Sequence, residues 1–571
     1  MNWLDYLVLL GTLAGIALYG VWRTRGQQNL TSYLKGSGTT GWWTIGLSVM
    51  ATQASAITFL STPGQGYENG LGFVQNYFGL PLALVIIAAI MLPRYRHLNV
   101  YTAYEYLGKR FDAKTRLLGA GLFLLQRGLA AGITIYAPAI ILSSVMGWRL
   151  DLTIVVSGLV AIIYTVAGGS EAVSLTQKHQ MGVIFCGMIA AFVLLLAKLP
   201  PELSFTDALT VAGGFHKMEA VDLSFDPKRR YTLWSGLLGG LFLSLSYFGT
   251  DQSQVQRYLS GSSLRESRLG LMFNAVVKIP MQFFILLLGV LVFTFYQFEK
   301  PPLIFNEAAW KTESQRGASE ELQALEQRHA ALHAEKQQHI RAWLQARRAG
   351  QEQAASVART EAVASQTQSD AVRDEARTLL RKRNPKSAGN DSDYVFITFI
   401  LRYLPHGTIG LLVAVMFAAA MSSKASELNA LGSTTIVDIY RHVVKRDESD
   451  DHYLLASKAF TALWGLVALG FALFAGWAEN LIQAVNILGS IFYGVALGLF
   501  VVAFLFKWIG GTAVFWAALA AQALVFVLYH YLEISYLWYN FIGCAACVVF
   551  SMILQSVLPP AVQPEPEATP A

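Results

Sequence analysis

The chain has 571 residues, 54% of them apolar and only 14% charged, with a formal net charge of +6 and a mean hydropathy of +0.43. An ordinary soluble domain carries about 25% charge, so this composition excludes one. The positive balance is no nucleic-acid signal, because Lys and Arg gather in particular loops between apolar runs, the pattern that sets membrane topology.

Apolar runs long enough to cross a hydrocarbon core of about 30 Å lie near 3–22, 42–62, 73–93, 117–146, 151–167, 179–199, 233–250, 271–297, 406–437, 455–476, 478–506, 512–531 and 536–556. The length criterion gives about 13 spans, and the expected class is an all-α integral membrane protein in contact with a lipid bilayer. The first run, Trp3 to Trp22, has no basic region before it and no small-residue cleavage site, and reads as a retained helix rather than a signal peptide.

Two runs are interrupted. Segment 46–66 concentrates small and hydroxyl residues at Ala51, Thr52, Ala54, Ser55, Ala56 and Thr58, after which Pro63 and Gly64 are expected to end the helix. Segment 233–256 carries Gly239 and Gly240 in mid-span, with Ser244 and Ser246 following. Backbone that is not helical at membrane depth must line a protected cavity. Interrupted segments in corresponding halves point to a transporter binding site, with free carbonyls for a cation and free N–H groups for an anion; close packing through small residues is the competing reading. A third polar stretch, 417–438, places Ala419, Ser422 and Ser423 on one helical face by their i, i+3, i+4 spacing. Its hydroxyl and carbonyl oxygens are hard ligands.

Charged residues order the loops. Arg23, Arg25 and Lys35 lie in the first; Arg94, Arg96, Lys109, Arg110, Lys114 and Arg116 in the third. Arg257, Arg265 and Arg268 lie in the seventh; Arg441, Lys445 and Arg446 in the ninth, and Lys507 in the eleventh. Positive loops stay cytoplasmic, so the N-terminus is expected outside and the C-terminus inside a plasma membrane, in a bacterium the inner one. Two long external segments are the exceptions. Residues 200–232 form one. Residues 306–392, rich in Ala, Glu, Gln and Arg, read as an exposed helical insertion or hairpin, either simply solvated or an arm that docks a protein partner. The tail 559–571, rich in Pro, Glu and Ala, is expected to be disordered. Cys186, Cys544 and Cys547 all fall inside apolar runs, and the single C-x-x-C has no second ligand pair, so packing is the expected role.

At these residues the chain resembles the sodium:solute symporter family. Gly46–Tyr67 resembles the family's first broken helix, and Tyr164 to Gly169 followed by Ala172-Val173 its Y-x-x-x-G-G-x-x-A-V element. Asp251-Gln252 with Gln256-Arg257 resembles its N-Q-x-x-x-Q-R signature, and Ser422–Tyr440 its ion-site helix. The resemblance covers most of 1–556 outside the insertion. It implies a LeuT-type five-plus-five inverted repeat, with a first repeat from about 42, a second from about 233, an extra N-terminal helix and two extra C-terminal ones. It implies sodium as coupling ion, bound by the carbonyls of Ala51, Ala54 and Ala419 and the hydroxyls of Ser422 and Ser423. Substrate positions carried over from the sugar-transporting members are Thr58, Tyr77, Leu80, Asp251, Lys278 and Gln483. Leu80 cannot hydrogen-bond a sugar hydroxyl, and local wording such as Gln254 to Tyr258 and Ile135 to Ala139 is closer to the iodide, monocarboxylate and multivitamin branch. Gln177 stands where the family usually has an Asp linked to a second sodium ion, which argues for one sodium per cycle.

Arg127 and Lys278 lie inside spans. A charge at that depth costs about 2.5–3.5 kcal/mol on insertion scales and so faces protein or water with a partner. Either residue neutralises an anionic substrate, or forms an internal ion pair or snorkels; His179 is a candidate for proton coupling. The function expected is a sodium-coupled symporter importing a small organic solute, such as a carboxylate or vitamin-like anion. The alternatives are a sodium–sugar or polyol symporter and a transporter-like solute sensor. Without an intramembrane metal-spaced cluster or a nucleophile elbow, the sequence does not read as an enzyme.

Overall fold

The computed structural model describes residues 1–23, 38–315, 319–383, 391–475 and 480–559; side chains at 17, 19–23, 167–175, 312–315 and 319 are not described. The expectations for Arg23, Arg25 and Lys35, for the glycine element at 168–173, and for the tail beyond 559 therefore lie wholly or partly outside it. Among the described residues the fold is helical throughout, with a single isolated bridge between Thr40 and Gly261.

The helices in chain order are α1 (Trp3–Arg23), α2 (Trp42–Gln53), α3 (Ala56–Asn69), α4 (Leu80–Ile86), α5 (Leu92–His97), α6 (Ala103–Arg110), α7 (Ala113–Met146), α8 (Leu150–Lys198) and α9 (Phe205–Gly214). There follow α10 (Gly240–Gly249), α11 (Gln252–Leu259), α12 (Leu264–Phe298), α13 (Glu307–Gln315), α14 (Ser319–Arg348), α15 (Glu352–Arg383) and α16 (Asp391–Tyr403). The series ends with α17 (Thr408–Thr434), α18 (Asp450–Ala472), α19 (Leu481–Leu505), α20 (Gly511–Tyr531) and α21 (Leu537–Val557). Short polar residues start many of them. Asp112 accepts from the Thr115 N–H at 2.8 Å, Ser263 from Glu266 at 3.1 Å and Asn480 from Gln483 at 3.3 Å, each satisfying a donor that the first turn leaves open.

Nine helices among the described residues are long and apolar enough to cross a membrane, and Trp3–Ile16, Leu150–Val166 and Ser235–Gly249 are shorter apolar helices. The expected runs 42–62 and 73–93 lie on either side of a break at Gly70, whose φ of +69° ends α3. The runs 151–167 and 179–199 lie in one helical stretch, α8. That stretch is not straight: the Tyr164 and Thr176 hydroxyls are 3.2 Å apart, whereas twelve residues of straight helix advance about 18 Å.

Two expectations about breaks need correction. Pro63 and Gly64 do not end a helix; α3 runs on to Asn69. These small residues instead let backbones touch, since a side chain on Gly64 would meet the Ser392 backbone and one on Gly289 of α12 would meet the Pro63 carbonyl. Gly239 and Gly240 are also packing residues, facing the Leu537 and Asn76 carbonyls. The second interruption falls later, at Thr250–Asp251 between α10 and α11.

The core is organised around α17, most of which is buried and which packs on α1, α2, α3, α7, α8, α11 and α18. The insertion forms an antiparallel hairpin of α14 and α15 turning at Gly350, whose φ is +72°. The hairpin lies on its own chain. Arg373 donates to the Leu303 carbonyl at 3.2 Å and to Asp391 at 3.0 Å, and Arg377 donates to Glu68 at 2.9 Å. Arg348 reaches Asp207 at 2.8 Å.

Candidate functional site

Where α2 stops, Ala54 has φ −81° and ψ 74° and Ser55 is extended. The Ser55 N–H turns to the Gln53 carbonyl at 3.0 Å and the Thr58 N–H to the Ser55 carbonyl at 2.9 Å. The bonds that a continuous helix would close on the Ala51 and Ala54 carbonyls are thus redirected, and both oxygens are left for other partners. Across the interface the Ser422 hydroxyl of α17 donates to the Ala51 carbonyl at 3.2 Å. One residue on, the Ser423 hydroxyl folds back on the Ala419 and Ala420 carbonyls at 3.1 and 3.3 Å. The structure therefore brings Ala51 against Ser422, and holds Ala419 and Ser423 one turn apart on the same helix, with Ala54 at the break. Hydroxyls that rotate away from these carbonyls present a set of neutral oxygens, which suits a hard monovalent cation.

Gln177 occupies the space beside this set. Its Nε2 donates to the Ser426 hydroxyl at 2.9 Å, the Thr52 hydroxyl at 3.1 Å and the Ser422 carbonyl at 3.3 Å, while its Oε1 accepts from Ser48 at 2.5 Å. A neutral amide with both ends satisfied takes the place a carboxylate would offer to a cation.

A cavity of about 100 Å³ adjoins the break. It is lined by Thr52, Gln53, Ser55 and Thr58 from the α2–α3 junction, by Tyr77, and by Arg127 and Glu427. Typical drug-sized ligand sites measure about 300–1,000 Å³, so this one fits a small solute. Arg127 is 2% exposed. Its Nε donates to Asp251 at 3.0 Å, its Nη2 to the same carboxylate and to the Tyr493 hydroxyl, and its Nη1 to Glu427 at 3.2 Å. The guanidinium also lies 5.3 Å from the Tyr247 ring centroid, a cation–π distance.

The remaining expected positions divide. Thr58 and Tyr77 line the cavity, Tyr77 accepting from Gln282 at 2.6 Å. Asp251 stands behind Arg127 and caps α11 through the Ser253 N–H at 2.9 Å. Leu80 is fully buried. Lys278 is buried with its ammonium 5.7 Å from the Tyr77 ring centroid. Gln483 lies apart, bonded to Gln65 at 2.7 Å and accepting from Arg230 at 2.8 Å. Glu427 was absent from the expected set. Its signal was a carboxylate within an apolar run, four residues after Ser423 and so on the same helical face.

Comparison with known proteins places this architecture. Residues 33–309 and 381–522 match the model of the sodium:solute symporter family.

The chain belongs to the sodium:solute symporter family.

The matched blocks flank the hairpin. Among curated relatives, the human sodium/iodide cotransporter is 30% identical over 293 residues, covering 51% of this chain and 45% of that protein. The human sodium-coupled monocarboxylate transporter 1 is 34% identical over 275 residues, 48% of this chain and 45% of that protein. The chain thus spans about half the length of these relatives. The sodium/sialic acid symporter SiaT of Proteus mirabilis (strain HI4320) is 24% identical over 571 residues, 98% of this chain and 97% of that protein. The solved structure of a Na+-coupled sialic acid symporter in a substrate-bound outward-open state superposes with a TM-score of 0.75 at 24% identity, covering 98% and 99% of the two chains, a likeness of fold. The family and its apolar helices make this an integral multi-pass membrane protein.

Proposed function

We propose that this symporter-family chain couples sodium to the import of a small organic solute that bears a carboxylate, by alternating access. The observation that carries the reading is the contact between the Ser422 hydroxyl and the Ala51 carbonyl at the helix break, beside a cavity whose wall includes Arg127 and Glu427. Sodium would be held by the carbonyls of Ala51, Ala54 and Ala419 and the hydroxyls of Ser422 and Ser423. Its binding would draw α17 onto the α2–α3 break, and with it the cavity wall formed by Glu427. The membrane potential adds about 2.3 kcal/mol per charge per 100 mV to the sodium gradient. Gln177, satisfied by its hydroxyl neighbours, supports one sodium per cycle. The carboxylate rests on relatives named for a sialic acid and for monocarboxylates, and on a cavity that contains Arg127.

The broken pairs α2–α3 and α10–α11 would each begin one of two inverted five-helix repeats, with α1, α20 and α21 outside them. The charge distribution of the loops supports an external N-terminus and hairpin and a cytoplasmic C-terminus, in a bacterial inner membrane. Uptake of labelled carboxylates by proteoliposomes under an imposed sodium gradient tests the proposal. Accumulation that collapses when potassium replaces sodium is the expected result; accumulation indifferent to sodium would end it.

A further inference from the structure

The turn between α19 and α20 gathers positive charge that the transport site does not use. Five basic side chains meet along residues 504–512. The Arg94 guanidinium lies 5.3 Å from the Phe504 ring centroid, a cation–π distance. The Arg110 Nη2 donates to the carbonyls of Phe506, Lys507 and Ile509 at 3.2, 2.8 and 3.3 Å, which caps the end of α19. Lys114 donates to the Thr512 hydroxyl at 2.9 Å. Lys109 precedes Arg110, and Lys507 stands in the turn itself. Carbonyls, a hydroxyl and a ring bring no negative charge, so these contacts hold the cations in place without neutralising them. Among the described residues the carboxylate that reaches them is Asp112, 3.7 Å from Lys114 and already accepting from the Thr115 N–H and hydroxyl at 2.8 and 2.7 Å. Five cations against one carboxylate leave a net charge of +4 at this turn.

Two features point to a lipid as the anion. The turn joins α19 to α20, and α7 starts beside it; all three helices are long and apolar enough to cross a bilayer, so the cations stand at its surface. Leu505 and Trp508, on either side of Lys507, are 59% and 52% exposed, and a tryptophan at a helix end belongs to the interfacial belt of membrane proteins. We propose that this turn is a headgroup site for an anionic phospholipid, its phosphate held by the ammonium groups of Lys109, Lys114 and Lys507 and an acyl chain lying on Leu505 and Trp508. The two arginines direct donors to the chain itself, Arg94 to the Ile90 carbonyl at 2.6 Å, and supply positive field behind the site. The three lysines are exposed. An ammonium has three donors; Lys114 uses one on Thr512 and Lys109 one on the Leu98 carbonyl at 3.1 Å, which leaves the others for phosphate oxygens. The N-terminus of α20, where Gly510 offers no side-chain cap, adds its partial positive charge. Each basic residue near an anionic headgroup is worth roughly a five-fold factor in binding. The site requires only that these helices cross a membrane, and holds whatever solute the chain carries.

The test is native mass spectrometry of the purified, delipidated full chain at low salt, titrated with phosphatidylglycerol or with phosphatidylcholine of the same acyl chains. Phosphatidylglycerol is expected to be retained in preference to phosphatidylcholine. The triple change Lys109→Gln, Lys114→Gln and Lys507→Gln should weaken its retention roughly 100-fold and leave phosphatidylcholine as it was. Lys507→Gln alone should weaken it roughly five-fold and decides the matter if the triple variant does not fold. A second triple change, Arg441→Gln, Lys445→Gln and Arg446→Gln, removes the same charge from the turn between α17 and α18 and should keep the parent's retention. The proposal is overturned if the two lipids are retained alike, if the lysine variants bind phosphatidylglycerol as the parent does, or if the second triple change loses as much, since charge anywhere on that surface would then suffice. Glycerol 3-phosphate and inorganic phosphate separate the sources of the anion: neither is expected to displace the lipid at equal concentration, and displacement by either would make this a site for free phosphate and end the lipid assignment.

Discussion

The guanidinium of Arg127 and the carboxylate of Asp251 close a buried ion pair that ties the middle of α7 to the turn between α10 and α11. One partner sits in an unbroken helix and the other at a break, so the pair fixes where the second interrupted helix lies relative to the cavity. Removing one member of a buried pair costs about 3–5 kcal/mol, because the other charge is left uncompensated. Asp251→Asn should therefore lower the melting temperature far more than Ser433→Ala, which deletes one hydrogen bond within α17 worth about 1 kcal/mol. Melting of the two purified variants side by side decides it; similar losses would mean that Glu427 alone satisfies Arg127.

Ser423→Ala removes one proposed sodium ligand while the chain still inserts. An interaction with a charged group is worth about 1.5–3 kcal/mol, so half-saturating sodium in uptake assays should rise roughly 10- to 150-fold. Ser433→Ala, whose hydroxyl bonds only within α17 at 3.1 Å, is the control and should leave the sodium dependence in place.

Gln177→Asp should convert a satisfied amide into a carboxylate among the hydroxyls of Ser48, Thr52 and Ser426 and the Ser422 carbonyl. A buried carboxylate with that surrounding gains a cation. The Hill coefficient for sodium, measured by uptake, is expected to rise from about 1 to above 1. An unchanged coefficient would show that the site is closed by its geometry rather than by the amide.

The hairpin carries its own pH dependence. Burial pushes His329 down to about 3 and His333 down to about 4, with the Lys336 charge adding to both. The Arg373 charge lowers His329 further, while the Asp370 charge acts on Lys336. An unfolded hairpin binds protons at these imidazoles below about 6.5 while the folded one does not, so stability is lost as pH falls from about 6.5. Hydrogen-exchange protection factors across 319–383, with the intrinsic pH dependence of exchange divided out, should be lower at pH 5 than at pH 7.5, and His329→Gln should reduce the difference.

Docking of the hairpin depends on a close approach between Trp343 and Gly214, where any side chain would strike the indole ring. Gly214→Val should loosen the tip at a cost of about 1–3 kcal/mol, read as earlier proteolytic cleavage near Gly350. Cleavage at the parent rate would mean that Arg348 and Asp207 hold the tip alone.

The sequence by itself determined the class of fold, the family and the two segments that meet where the Ser422 hydroxyl faces the Ala51 carbonyl. Apolar length is a one-dimensional property, and the helix break at Ala51–Ala54 shows as a cluster of small and hydroxyl residues, as does the hydroxyl pair at Ser422 and Ser423. The tertiary structure decided the rest. Gly239-Gly240 and Gly249–Asp251 are alike as local signals; only the carbonyls of Asn76 and Leu537 pressing on the first pair show that it packs while the second breaks. Arg127 offered the sequence a choice between clamping a ligand and pairing internally. That choice turned on Asp251 and Glu427, which lie far along the chain and reach the guanidinium only because α7, α11 and α17 fold onto one another. Charge balance in a low-dielectric cavity is a property of neighbours in space, and linear order does not record it.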